Sequence, residues 1–172
     1  MTKQLKVAII QQEQSMKSAV YGFDDLFQMA NGLCVDADVE LEFKPQLVDI
    51  KNIISSSQLT YDIVILPPLL QSKSQYVTDD KLVEQHACGA IITAVCAGCF
   101  ALAATNIAKN RALTTHWGLV DAIKLQYPEH NFDIDKIIRA FCHHSLQSRL
   151  SGCQCCAKSI SENHGGNTAI FS

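Results

Sequence analysis

A chain of 172 residues that is 48% hydrophobic and 18% charged is long enough to bury one good core and too short for two ordinary domains. Its formal net charge of -3, with 14 Lys and Arg scattered along its length, offers no basic stripe to a phosphate backbone, which argues against direct nucleic-acid binding by this chain. The opening residues, Met-Thr-Lys-Gln-Leu-Lys, run into an apolar strand without the apolar core of a signal peptide. A cytoplasmic location is therefore expected, and the eight cysteines are read as reduced thiols, not as a disulfide framework.

The first apolar run, Val7-Ala-Ile-Ile10, has the character of a central strand and leads into a polar loop over residues 11–18. Phe23, Leu26, Phe27 and Ala30 then recur at helical spacing, with Asp24 and Asp25 expected at the positive end of the helix and Gly32 at its close. Val39, Leu41 and Phe43 alternate with Glu40, Glu42 and Lys44, which predicts a half-exposed strand towards a sheet edge, stopped by Pro45. Tyr61-Asp-Ile-Val-Ile-Leu66 is another buried strand, ended by Pro67-Pro68. A helix is expected from Thr78-Asp79-Asp80 through Leu82 and Val83 towards Cys88, with Gly89 as its stop. A strand over residues 90–95 precedes Cys96 and a helix over residues 99–108. Leu113-Thr-Thr115 reads as a short strand, and Leu119, Ala122 and Ile123 mark a helix ended by Pro128. Strands alternating with helices predict βαβ units around a parallel sheet.

Residues 87–104 carry no charge and are as long as the shortest membrane span. Their Ala, Gly and Cys content gives a weak transfer energy, and Gly89 and Gly98 cut the stretch in two. A strand buried on both faces followed by a buried helix has this composition, so no membrane partner is expected.

Within that stretch, Ala90-Ile-Ile-Thr-Ala-Val-Cys96-Ala-Gly-Cys-Phe-Ala-Leu-Ala-Ala104 runs from an apolar strand through Cys96 into a small-residue helix. Ala97 and Gly98 allow a sharp turn there. Such a turn points the side chain of Cys96 away from the sheet edge and sets backbone N–H groups where they can stabilise an oxyanion. A thiol so placed can act as a nucleophile. An intracellular cysteine is more often a small buried hydrophobe, and spacing alone favours that reading of Cys96. Cys34, Cys88 and Cys99 are read as core.

Cys96-Ala-Gly-Cys-Phe-Ala-Leu-Ala-Ala, followed by Arg111-Ala-Leu-Thr-Thr-His116-Trp117, resembles the ThiJ/PfpI pattern of Cys-x-Gly, helix, then Thr-Thr-His, within the class I glutamine-amidotransferase-like superfamily. The Thr-Thr-His-Trp block and the segment Asp25-Leu-Phe-Gln-Met-Ala-Asn31 are most similar to the branch that forms the N-terminal, ligand-sensing half of AraC-type transcription regulators. The resemblance covers residues 5–138. It implies a doubly wound parallel sheet, a flavodoxin-like three-layer α/β sandwich, with its site at the carboxyl ends of the strands. It matches Cys96 to the elbow cysteine and His116 to the histidine of Thr-Thr-His, a base or orienting partner for a thiol. A structural histidine at a strand end is the other reading of His116.

Departures from the pattern bear on function. Enzymes of this superfamily place a carboxylate against the elbow cysteine, and the register set by Asp25-Leu-Phe puts Ala19 at that position. Glu13, in the loop after the first strand, is either a substitute or a solvated loop charge. Position 97 is Ala and not the histidine of protease-like members, which disfavours peptidase activity. The resemblance also implies a further strand, a turn and a closing helix near the C-terminus, where the sequence is instead rich in Cys and His. The domain is therefore set at residues 1–138, with residues 139–172 an atypical tail. A truncated or frame-shifted regulator would account for it, as would a chain that never carried a DNA-reading domain. Within the tail, Cys153 and Cys156 with His143 and His164 are ligand types that suit a tetrahedral zinc, but a second well-spaced pair is lacking. A loosely packed tail with incidental thiols is the simpler expectation. No glycine-rich nucleotide loop follows a strand, so no cofactor is expected.

Two function classes follow. One is a small-molecule or redox-sensing domain in which a pocket beside Cys96 binds a ligand and the thiol is open to oxidation. The other is a cysteine-dependent hydrolase, hydratase or glyoxalase-like enzyme, with Cys96 as nucleophile and His116 or Glu13 assisting. The missing carboxylate favours the first, with a small-molecule ligand as partner and a homodimer as the expected state.

Overall fold

Strand β1 (Lys3–Gln11) buries Leu5, Val7, Ala8, Ile9 and Ile10, because it has a neighbour on each side and is covered on both faces. β2 (Leu41–Asp49) pairs with its full length in parallel. β3 (Ile63–Leu66) lies on the other side, followed by β4 (Ile91–Ala94), also parallel. The two-residue β5 (Ala140–Phe141) joins β4 antiparallel and completes the order β2-β1-β3-β4-β5. The computed structural model describes residues 2–55, 60–70, 80–109, 111–133 and 140–141. Its helices are α1 (Lys17–Asp36), α2 (Ile50–Ser55), α3 (Asp80–Ala87), α4 (Cys99–Ala103) and α5 (Val120–Gln126).

Alternation along β1 divides its side chains between two cores. Val7 and Ile9 pack with Val20, Phe23 and Phe27 of α1 and with Ile65. Ala8 and Ile10 join Val64, Leu66 and Ile92, together with Leu82 of α3, Leu102 of α4 and Ile123 of α5. Helices on both faces of a mainly parallel sheet make the three layers of a doubly wound, flavodoxin-like α/β sandwich, as the resemblance implied. Each large aliphatic side chain in these clusters contributes roughly 1.5–3 kcal/mol when fully buried.

Several elements differ from the sequence reading, each for a local reason. α1 begins at Lys17 and passes through Gly32 without a break, so Asp24 and Asp25 lie in its interior and not at its positive end. It stops at Asp38, whose φ is 53°. There the N–H of Asp38 donates to Val35 O (3.2 Å) and that of Val39 to Cys34 O (2.8 Å), a left-handed helix stop built on Asp instead of Gly. β2 runs through Pro45 to Asp49. Successive residues of a strand aim their N–H and C=O to opposite sides, and those of Phe43 face outward. Asn31 pairs both, its Nδ2 donating to Phe43 O (2.9 Å) and its Oδ1 accepting from Phe43 N (2.7 Å). Pro45 shares that outer side, so its missing N–H removes no ladder bond.

The helix expected over residues 99–108 breaks after Ala103. The Thr105 hydroxyl donates to Leu102 O (2.8 Å) and accepts from Ile107 N (3.3 Å), competing with the helix ladder, and the chain resumes as a 3-10 turn, Asn106–Ala108. Leu113 makes a single bridge to Phe132 in place of the short strand. Gly89 does stop α3, at φ 102°, with Gly89 N–H on His86 O and Ala90 N–H on Gln85 O. Among the described residues no helix is long and apolar enough to cross a membrane. The expected start of α3 at Thr78, and the tail beyond Phe141, lie outside the described residues.

Candidate functional site

Parallel strands bring their carboxyl ends to one edge of the sheet, and the loops after β1, β3 and β4 meet there. Met16 N–H donates to Pro68 O (2.9 Å) and Leu70 N–H to Gln14 O (2.9 Å), with a bridge between Ser15 and Leu69. Val95 N–H donates to Leu66 O (3.0 Å). The loop after β3 is thus tied to both of its neighbours.

Cys96 sits where β4 gives way to the 3-10 turn Cys96–Gly98 and then α4. Val95 is extended (φ -121°, ψ 129°), Cys96 has φ 54°, and Gly98 is helical (φ -58°, ψ -24°). A left-handed conformation costs a non-glycine residue roughly 1–2 kcal/mol and persists only where its surroundings hold it. Gly98 N–H donates to Val95 O (2.8 Å), Cys99 N–H reaches back to Cys96 O, and the Thr115 hydroxyl donates to Cys96 O (3.1 Å). Gly98 is required by close approach: a Cβ there would overlap the Leu66 carbonyl oxygen and lie 3.2 Å from Pro67 O. With the N–H groups of Gly98 and Cys99 already engaged inside the turn, neither is open to an oxyanion.

The thiols differ sharply in environment. Cys96 is half-buried, whereas Cys99, one turn on, is 1% exposed. Burial pushes the Cys99 thiol up to about 11, against a smaller opposing effect of its hydrogen bond with Thr115, and charge on Cys96 raises it further. Cys34 is half-buried on α1 and Cys88 is exposed where α3 ends. The core reading therefore holds for Cys99 and fails for Cys88, because the helix stop at Gly89 leaves its last residues at the surface.

The other candidates disperse. His116 is exposed, and its Nδ1 accepts from Gly118 N–H (3.2 Å), capping the 3-10 turn Trp117–Leu119. Its ring lies 5.0 Å from that of Trp117, itself 78% exposed. Among the described residues no hydrogen bond joins His116 to Cys96. Glu13 is exposed, and the first turn of α1, which includes Ala19, holds no acidic residue. Cys153, Cys156, His143 and His164 lie outside the described residues; within the described ones no group of three metal-ligand side chains gathers. Two residues escaped the sequence reading. Thr115 belongs to the Thr-Thr-His block, but its contact with Cys96 O is one that no local pattern announces. Gln12, at the end of β1, keeps Oε1 buried with no hydrogen-bond partner among the described residues.

Residues 3–140 match the model of the DJ-1/PfpI family. Among solved structures, the chain is similar to an AraC family transcriptional regulator from Pseudomonas putida (15% identity, TM-score 0.59, covering 94% of this chain and 100% of that one). It is similar also to a protein from Vibrio parahaemolyticus assigned provisionally as a transcriptional regulator (16% identity, TM-score 0.63, 78% of each chain). Drosophila melanogaster DJ-1beta shares the fold as well (17% identity, TM-score 0.54, 78% of this chain and 76% of that one). At these identities the likeness is one of fold. No curated protein matches the chain at a significant level.

Proposed function

The chain belongs to the DJ-1/PfpI family, and from that premise we propose that it is a small-molecule or redox-sensing domain similar to the sensor half of AraC-type regulators. Its site in this reading is the loop cluster at the carboxyl ends of β1, β3 and β4, with Cys96 as the residue that a ligand or oxidant meets. The observation that carries the reading is Gln12. A buried amide oxygen without a donor costs about 1–3 kcal/mol, and a ligand N–H or O–H at the end of β1 would remove that cost. The absence of an acid from the first turn of α1, the exposure of Glu13 and the use of His116 Nδ1 to accept from Gly118 N–H all favour sensing over turnover. In this reading the domain works in the cytoplasm as a homodimer and does not itself contact nucleic acid.

A cysteine-dependent hydrolase, hydratase or glyoxalase-like enzyme is the second reading, favoured by the strained backbone of Cys96. His116 or Glu13 would then have to swing towards the thiol. The two readings separate in one experiment on the full chain: thermal shift across a panel of small amides, amines and hydroxy acids, run beside turnover assays on small carbonyl and amide compounds. Sensing predicts a saturable rise in Tm for some compound, weakened in Gln12→Leu, and no turnover. Turnover that disappears in Cys96→Ser would establish the enzyme. A flat panel, together with alkylation of Cys96 no faster than that of Cys34, would sink the sensing reading.

A further inference from the structure

Resting on the redox side of the reading above, we propose that Cys96 and Cys99 form a dithiol couple, in which a hydroperoxide oxidises Cys96 and the thiol of Cys99 then closes an internal disulfide. Cys96-Ala-Gly-Cys99 is a Cys-x-x-Cys segment, the spacing of dithiol exchange sites. The backbone supports the same pairing. Cys99 N–H donates to Cys96 O, and a turn closed in that way holds its first and fourth Cα atoms within about 7 Å, a separation a disulfide can span. Thr115 secures both residues, donating to Cys96 O and hydrogen-bonding the Cys99 thiol.

Access divides the roles. Cys96 is half-buried and Cys99 is 1% exposed, so a soluble oxidant meets Cys96 first. Burial shields the Cys99 sulfur from solvent and pushes its thiol up, so its reaction is with the neighbouring Cys96 sulfur and not with dissolved peroxide.

The chemistry balances in two steps. The Cys96 sulfur attacks one oxygen of ROOH, an S–O bond forms, the O–O bond breaks, and ROH leaves with the thiol proton, giving the sulfenic acid. The Cys99 sulfur then attacks the Cys96 sulfur; the S–S bond forms, the S–O bond breaks, and hydroxide leaves with the Cys99 proton as water. Two thiols supply the two electrons that reduce one hydroperoxide to an alcohol and water. Reduction reverses slowly, since an external thiol must attack the accessible Cys96 sulfur and expel Cys99, a leaving group of high proton affinity.

The test treats the reduced full chain with hydrogen peroxide, alkylates the remaining thiols and maps the fragment carrying Cys88, Cys96 and Cys99 by mass spectrometry. The expected result is a fragment short of two hydrogens, with Cys88 alkylated and Cys96 joined to Cys99. In Cys99→Ala, a substitution that keeps the site small and apolar, Cys96 should instead accumulate as sulfenic and then sulfinic acid, at least about tenfold more than in the parent chain. Far-UV circular dichroism confirms that each variant is folded. Stable sulfenic or sulfinic acid at Cys96 of the parent chain, with Cys99 still alkylatable, would overturn the couple and leave redox sensing by Cys96 standing. Oxidation of Cys96 no faster than that of Cys34 and Cys88 would overturn the couple and redox sensing together.

Discussion

Gly98 and Cys99 hold the turn at Cys96 in different ways, and each makes a prediction. A methyl group on Gly98 has no space against the Leu66 carbonyl, so Gly98→Ala should cost about 1–3 kcal/mol through overpacking. It should also displace Cys96, read as a lowered denaturant midpoint with a changed rate of Cys96 alkylation. A loss of stability with unchanged alkylation would mean that Gly98 does not set the thiol's position. Burial raises Cys99 from 9.0 to about 11, so the folded chain keeps this proton after the unfolded chain has released it. The associated stability is complete below about pH 9 and falls away as the pH climbs towards 11, by about 3 kcal/mol. Urea unfolding between about pH 8 and 11 should show that decline in the parent chain and a shallower one in Cys99→Ala. Equal slopes would assign the loss to other groups.

Helix ends and strand edges are the weak points of any layered fold, and both are visible here. α1 stops on Asp38 at φ 53°, where glycine would carry no steric penalty. Asp38→Gly should therefore stabilise the domain by roughly 0.5–1 kcal/mol, a rise of about 1–4 °C in Tm; a fall would mean that the Asp38 side chain makes a contribution larger than its backbone strain. Asn31 closes the outer side of β2 at Phe43. Removing that amide in Asn31→Ala leaves an N–H and a C=O open on a sheet edge, at a cost of about 1–3 kcal/mol. Open edges also template strand pairing between chains, so light scattering of Asn31→Ala should rise with concentration and time, and Asn31→Asp, which keeps the acceptor alone, should fall between the two. Scattering no greater than the parent's would show that Pro45 suffices to blunt the edge.

For the whole domain, much of the architecture was legible because its central strands are covered on both faces and so read as largely apolar runs at Val7 to Ile10 and, with Thr93 inside it, at Ile91 to Ala94. The edge position of β2 was legible from its alternation, and the turn after β4 from the apolar strand that runs into small residues. What escaped depends on contacts between distant segments. Pro45 reads as a strand stop unless Asn31 is known to occupy the same side of β2, and Thr115 reads as a strand residue unless its bond to Cys96 O is seen. Gln12 offers no local signal at all. α1 leaves Leu26, Met29 and Leu33 exposed at 58%, 66% and 67%, one stripe at helical spacing, which supports the proposed homodimer. The double change Leu26→Asp and Met29→Asp should give a monomer by light scattering with the fold retained; an unchanged mass would move the contact elsewhere or remove it. The turn at Cys96 has a further consequence in time. Its supports come from Leu66 before it and Thr115 after it, the latter 19 positions on. Contacts of that span form only when the intervening chain has closed, and during synthesis the Thr115 segment leaves the ribosome after Cys96 does. A growing chain therefore carries Cys96 and Cys99 as two ordinary thiols, and peroxide met during translation finds no assembled pair to close.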